Sequence, residues 1–215
     1  MPSQSELVTF LKSQQSNANF LDHLKITYRP YICPFDQILE TIPDGAKIFD
    51  IGCGSGQFLL LCAAFVKPAA LKGIEISKQL CINAEELLKE YQSNCQIEIQ
   101  QYDGDELPSD LNSYSWVTMI DVLHHIPEEK HPTFFALLSQ NMKAGSKIIL
   151  KDINASSPLV WMNKIHDLLL AGEIGNELSM KATKDLLERN GFKIVQQSKK
   201  RMLWYPHFTL IAEKI

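Results

Sequence analysis

The chain has 215 residues, with 21 Lys+Arg against 25 Asp+Glu for a formal net charge of −4; 45% of it is hydrophobic and 21% charged. That length carries one domain with a substantial core, and the composition excludes a disordered or fibrous chain. The longest apolar run, residues 58–66, has nine residues, against the roughly 20 that a membrane span needs. The acidic balance gives no electrostatic case for nucleic acid as the main partner. The first residues lack the basic and apolar regions of a signal peptide. The five cysteines, at 33, 53, 62, 81 and 95, include no Cys-x-x-Cys pair. A reducing, cytoplasmic setting is therefore expected, and a disulfide frame or zinc site is not.

Residues 1–44 read as an N-terminal helical segment, with a soft Gln/Ser/Asn-rich stretch at 13–19, ahead of a main domain at 45–215. From residue 45 onward, short β-rich runs alternate with longer stretches of helical spacing. Lys47-Ile48-Phe49-Asp50-Ile51 is a buried strand ending at glycines, and residues 57–66 form an almost wholly apolar helix stopped by Pro68. Residues 71–75 make a second strand. An amphipathic helix follows at 78–91, with Leu80, Ala84, Leu87, Leu88 and Tyr91 on one face.

Residues 96–100 alternate with period two and give a third strand, and Trp116-Val117-Thr118-Met119-Ile120 is a fourth. Pro127-Glu128-Glu129 opens the next helix, where acidic side chains suit the N-terminus. Residues 147–150 follow the Ala144-Gly145 turn as a fifth strand, and 159–171 form another helix. Thr183 is the expected cap of a helix ending at Asn190-Gly191. Residues 192–196 and 202–212 close the chain as two strands, the last expected to pair antiparallel. This alternation predicts βαβ units and a mostly parallel sheet covered by helices. Ligands in such sheets bind beyond the carboxyl ends of the strands, so the informative residues are those just after each strand.

After the first strand comes Asp50-Ile51-Gly52-Cys53-Gly54-Ser55-Gly56. Glycines at alternate positions let the backbone turn sharply and approach a ligand, and the following helix presents its N-terminal amides. The spacing is not the Gly-x-Gly-x-x-Gly dinucleotide fingerprint; tight strand–helix packing is the plain alternative. Glu75, about 20 residues on, is placed to accept both hydroxyls of a ribose, and a solvated surface Glu is its plain alternative. Asp103-Gly104-Asp105-Glu106-Leu107-Pro108 follows the third strand, Asp121-Val122-Leu123-His124-His125-Ile126-Pro127 the fourth, and Lys151-Asp152-Ile153-Asn154 the fifth. Each is weak alone; five in order along one edge point to a cofactor site.

These segments together resemble the class I S-adenosylmethionine-dependent methyltransferases, most nearly the small-molecule enzymes of the type 11/12 kind with a D-V-L-H-H-I-P segment after strand four. The resemblance covers residues 45–152. It implies an α/β, Rossmann-like seven-stranded sheet of order 3-2-1-4-5-7-6, with strand 7 antiparallel and helices on both faces. It also implies S-adenosylmethionine as cofactor. By the resemblance, Gly52, Cys53 and Gly54 pass close to the methionine part and Asp50 supports the loop. Glu75 holds the ribose, Ile76 flanks the adenine, Asp103 and Gly104 face its edge, and Asp121 lies near the cofactor's amino group. Cys53 is given a backbone role and no thiol chemistry. Residues 28–31, Tyr-Arg-Pro-Tyr, suggest a lid, with Arg29 a candidate partner for the cofactor carboxylate because a guanidinium matches a carboxylate in two parallel hydrogen bonds.

The expected reaction is in-line methyl transfer to a small molecule, oxygen favoured, with His124, His125, His166 and Asp152 as candidate bases. Trp161, Met162, Trp204 and Tyr205 favour an aromatic or lipid-like acceptor. A metal-dependent variant is not favoured, since Asp152 and Asn154 are two apart and Asp121 is claimed by the cofactor. No DNA-methylating Asn/Asp-Pro-Pro-aromatic segment is present. A nicotinamide oxidoreductase fits the glycine spacing poorly. A cofactor-binding but non-catalytic partner protein of the same fold is the alternative from another class. Oligomeric state is left open.

Overall fold

The computed structural model describes residues 2–14, 27–157 and 176–215. Seven strands form one sheet: β1 Lys47–Ile51, β2 Ala70–Glu75, β3 Gln96–Gln101, β4 Trp116–Ile120, β5 Lys147–Ile153, β6 Phe192–Met202 and β7 Tyr205–Lys214, in the order β3-β2-β1-β4-β5-β7-β6. The sheet is mixed, with β7 antiparallel to both its neighbours, as expected. The chain divides into two compact units, residues 1–104 and 105–215.

In the first unit β1 pairs parallel with β2 and β2 with β3. β2 is buried along its whole length, whereas every residue of β3 is half-buried or exposed, as befits its place at the edge of the sheet. The helices here are α1 Gln4–Ser13, α2 Phe35–Thr41, α3 Gln57–Phe65 and α4 Lys78–Leu88. A reciprocal box starts α1: the Ser3 backbone N–H donates to Glu6 Oε2 at 2.7 Å while the Ser3 hydroxyl accepts from the Glu6 N–H. Leu7, Val8 and Leu11 form its buried stripe, and Phe10 meets Phe65 of α3 edge-on at 5.1 Å. Ser77 caps α4, and the helical pattern expected to reach Tyr91 tightens into a 3₁₀ turn over Lys89–Tyr91.

Gly73, in the middle of β2, is a packing requirement. A Cβ placed there would lie 2.7 Å from Cys53 Sγ and 2.8 Å from Leu59 Cδ1. The strand therefore runs hard against the loop and helix that follow β1, and only glycine permits it.

In the second unit β4 pairs parallel with β5 from Trp116↔Lys147 to Ile120↔Lys151, and β5 pairs antiparallel with β7 as far as Ile153↔His207. The second pairing corrects the expected end of strand five. Lys151 still pairs with Ile120, and Asp152 and Ile153 belong to the strand because β7 continues the ladder past the last residue of β4. Strand six differs more. The polar run Gln196 to Arg201 stays in β6, although it has none of the apolar alternation that marks a strand. As the edge strand it needs only β7 as a neighbour, and the chain turns at Leu203 and Trp204. The helix after β4 is preceded by a 3₁₀ turn, Glu128–Lys130, and becomes α5 over His131–Asn141. Ser179, not Thr183, caps α6 Met180–Arg189: its hydroxyl accepts from the Ala182 N–H at 3.1 Å. Thr183 is fully buried and its hydroxyl donates to the Ser179 carbonyl. The helix expected at 159–171, with Trp161, Met162 and His166, lies outside the described residues.

Gly73→Ala is expected to lower stability by about 1–3 kcal/mol, the usual cost of overpacking a filled core. Urea unfolding would read this as a lower midpoint at unchanged slope.

Candidate cofactor and catalytic site

In the 1–104 unit the chain leaves β1 through three left-handed residues, Gly52 at φ +70°, Gly54 at +54° and Gly56 at +78°. A side chain at any of these would be strained. The Gly52 and Cys53 N–H groups both donate to the Ile74 carbonyl, at 2.8 and 3.1 Å, and tie the loop to β2. At Gly56 a Cβ would fall 2.9 Å from Ala84 Cβ, so that glycine also lets α3 approach α4. At Gly54 a Cβ would meet nothing within 4 Å. Packing explains Gly56; Gly54 lines open space.

Glu75 ends β2 and is 8% exposed. Its Oε2 accepts the Gly54 N–H at 3.0 Å and its Oε1 the Ser77 N–H at 3.1 Å. One carboxylate thus links the glycine loop to the start of α4. A carboxylate offers about four acceptor positions, and the backbone occupies two. Ile76 is 60% exposed although it follows a buried strand, and Gly104, at φ +90°, brings its backbone alongside: a Cβ there would sit 3.8 Å from Ile76 Cγ2. Asp50 is buried beneath the loop and Asp103 is exposed.

Burial pushes the Cys53 thiol far up from its usual range, and the Asp50 and Glu75 charges add to this. It stays protonated and un-nucleophilic at neutral pH. In the same unit the Arg29 guanidinium lies over the Phe35 ring at 5.8 Å, and the exposed Tyr28 and Tyr31 stack at 6.4 Å.

In the 105–215 unit the segment after β4 is held by two consecutive residues of β5. Asp121 is a non-glycine at φ +56°. Its N–H donates to the Lys151 carbonyl at 2.9 Å, and its Oδ1 accepts from Lys151 Nζ at 2.5 Å. The Lys151 side chain is fully buried and that of Asp121 is 20% exposed. Three residues later His124, 4% exposed, meets Asp152, 2% exposed. His124 Nδ1 is 2.6 Å from Asp152 Oδ1, and the His124 N–H donates to Oδ2 at 3.2 Å. A carboxylate can only accept, so Nδ1 carries the proton. The His124 carbonyl accepts from the Asn176 N–H at 2.8 Å.

The adjacent histidines are thus sorted: His124 is buried and anchored, while His125 is exposed, its ring 4.1 Å from that of His124. His166 lies outside the described residues. Two contributors escaped the sequence reading. Lys151 was visible as a charge after Ile148-Ile149-Leu150 but was placed beyond the strand. Gly73 was visible as a glycine inside an apolar run, the mark of close backbone approach.

Residues 25–197 match a family described as a methyltransferase domain. The chain belongs to the class I S-adenosylmethionine-dependent methyltransferases. It is 28% identical over 112 residues to demethylmenaquinone methyltransferase of Bacillus licheniformis, covering 52% of this chain and 46% of that one. It is 29% identical over 132 residues to a tRNA (guanine-N(7)-)-methyltransferase of Prochlorococcus marinus, covering 56% and 62%. The chain therefore spans about half of the one curated relative and three fifths of the other. Among solved structures, magnesium protoporphyrin IX methyltransferase from Synechocystis, with bound S-adenosylhomocysteine, superposes at a TM-score of 0.70 with 19% identity, over 98% of this chain and 94% of that one.

The family's cofactor is S-adenosylmethionine, and the first unit fits it. The glycine at position 54 faces open space, Glu75 keeps acceptor capacity for a diol, and an exposed isoleucine lies beside a glycine backbone, as a flat ring requires.

Two outcomes follow. Lys151→Met strands the Asp121 carboxylate and is expected to cost about 3 kcal/mol. The Lys151→Met, Asp121→Asn double variant should recover part of that in a denaturation cycle. Alkylation with iodoacetamide at pH 8, followed by mass spectrometry, should modify half-buried Cys95 in the native protein and reach the buried Cys53 and Cys62 only after unfolding.

Proposed function

We propose that this chain transfers a methyl group to the oxygen of a small aromatic or lipid-like molecule, with His124 as general base and Asp152 as the group that orients it. The observation that carries the reading is the His124–Asp152 pair. A buried imidazole whose Nδ1–H is held at 2.6 Å by a carboxylate has a fixed ring plane, and Nε2 is the ring atom assigned to the acceptor's proton.

Gly52, Cys53 and Gly54 are assigned the methionine part of the cofactor, with Asp50 buttressing the loop from below. Glu75 is assigned the ribose hydroxyls, Ile76 with Asp103 and Gly104 the adenine, Asp121 the amino group and Arg29 the carboxylate. When bound, the cofactor supplies an activated methyl carbon open to in-line attack. The protein has to fix the acceptor oxygen within about 3–3.5 Å of that carbon and exclude water. His124 then takes the acceptor's hydroxyl proton at Nε2, and Asp152 stabilises the imidazolium that results. The aromatic or lipid-like character is supported by the low density of buried cations among the described residues, where Lys72 and Lys151 are both paired with carboxylates. A phosphate-rich acceptor would call for cations held in readiness.

Calorimetry with S-adenosylmethionine should show binding that is lost in Glu75→Ala and Gly54→Arg, with no heat from NADH. Production of S-adenosylhomocysteine would then be followed over a panel of quinols, phenols and transfer RNA. His124→Asn and Asp152→Asn are expected to lower kcat on the best small acceptor by about 10²–10⁴-fold, with cofactor affinity unchanged. Full turnover in His124→Asn would remove the base. Turnover on RNA alone would overturn the acceptor class, and cofactor binding without any turnover would favour a non-catalytic partner protein.

A further inference from the structure

The tip of the β6–β7 hairpin is built against the ordinary preferences of a turn. Between Met202 and Tyr205, which pair, stand only Leu203 and Trp204. Two-residue hairpin loops favour Asn and Gly, because left-handed backbone is needed there. Here Leu203 takes φ +55°, a conformation that a branched apolar residue resists. Burial does not repay this strain at Leu203, which is 62% exposed, and Trp204 beside it is 42% exposed. The Trp204 ring is braced at 5.6 Å by Tyr205, itself buried. The chain thus holds two large apolar side chains out in water, in a strained turn, on a rigid support.

The charges along the hairpin on either side of the tip are of one sign. Lys199 and Arg201 precede the tip, are both exposed, and lie two apart on one face of β6. No acidic residue lies between Phe192 and Ala212. This basic island belongs to a chain of net charge −4, so it is a local device and not a consequence of composition.

The position of the tip also carries information. Both β5 and β6 run antiparallel to β7, and His207 is the partner of Ile153 on one side and of Lys200 on the other. The carboxyl ends of β5 and β6 therefore point the same way. Leu203 stands three residues, about 10 Å, past the level of the last residue of β5. The tip projects from the edge of the 105–215 unit that carries Asp152 and His124.

We infer that the Leu203–Trp204 tip is a membrane-surface anchor that seats its two apolar side chains among the acyl chains of an anionic bilayer while Lys199 and Arg201 contact the headgroups. Tryptophan suits the interface because an apolar ring carries one polar N–H, and basic residues beside it are drawn to a negative surface. The inference does not rest on the acceptor's identity, and it concerns residues outside the proposed base and cofactor contacts.

The test is co-sedimentation of the full chain with vesicles of phosphatidylcholine alone and of phosphatidylcholine with about 30 mol% phosphatidylglycerol, at low salt and at about 0.5 M salt, where surface charge is screened. The wild type should bind the anionic vesicles, with blue-shifted tryptophan emission, and release at high salt. Leu203→Gly with Trp204→Asn should abolish binding while thermal unfolding stays at or above the wild-type midpoint, because glycine in first position suits a turn whose first central residue alone is left-handed. Lys199→Gln with Arg201→Gln should weaken binding by about fivefold per charge. Absence of vesicle binding by the wild type, or binding that the tip exchange leaves intact, overturns the inference. So does a dimer in light scattering that the exchange dissolves without any vesicle binding, since a second copy would then be the occupant.

Discussion

Lys151 and Asp152 are neighbours on a buried strand, and β-alternation sends them to opposite faces of it. Each is a charged group that water does not reach, so each needs a counter-group supplied by the fold. Both find one in the same short stretch after β4: Asp121 for the lysine and His124 for the aspartate. That stretch is thereby clipped to β5 from both sides, and its backbone is left little choice. The left-handed φ of Asp121 and the buried pose of His124 follow from this double tether. Buried ion pairs are poor sources of net stability but strong penalties when half is removed. Their effect here is to make one arrangement of the segment after β4 much better than any other.

The glycine loop after β1 solves the converse problem. There the backbone itself turns sharply between β1 and α3, so side chains are dispensed with and left-handed geometry is accepted at three positions. Glu75 stops such a loop from wandering by accepting the Gly54 amide. Gly73 lets the strand beneath press against Cys53, and the burial that results explains why this cysteine behaves as a small apolar residue. The two loops thus rest on different physics: backbone freedom held by one carboxylate, and charged side chains held by each other.

The strands that could be read from the sequence are those whose pattern is local. β1 and β4 have the limits that their apolar runs suggest, because both are central and bounded by turn residues. The glycine loop and Glu75 were legible too, since left-handed turns and strand-end carboxylates mark themselves by residue type. The far half of β6 was not, because Gln196 to Arg201 is held as a strand by β7 alone. The extension of β5 to Ile153 was hidden for the same reason, since it depends on a partner more than 50 residues away. Which of His124 and His125 would be buried was beyond any local pattern. The Asp152 carboxylate decides it, 28 residues on.

The two border strands of the sheet show how the fold is kept from growing. β3 offers Gln96 and Glu98 to solvent, and β6 offers Lys193, Gln197, Lys199 and Arg201, with its ladder broken between Ile194 and Gln196 by a bulge. Exposed charge and a bulge both discourage another chain from adding a strand there. A sheet with such an apolar centre would otherwise be a template for its own aggregation. The same lysines and glutamines that disguise β6 in the sequence act, in the folded chain, as a stop against edge-to-edge polymerisation.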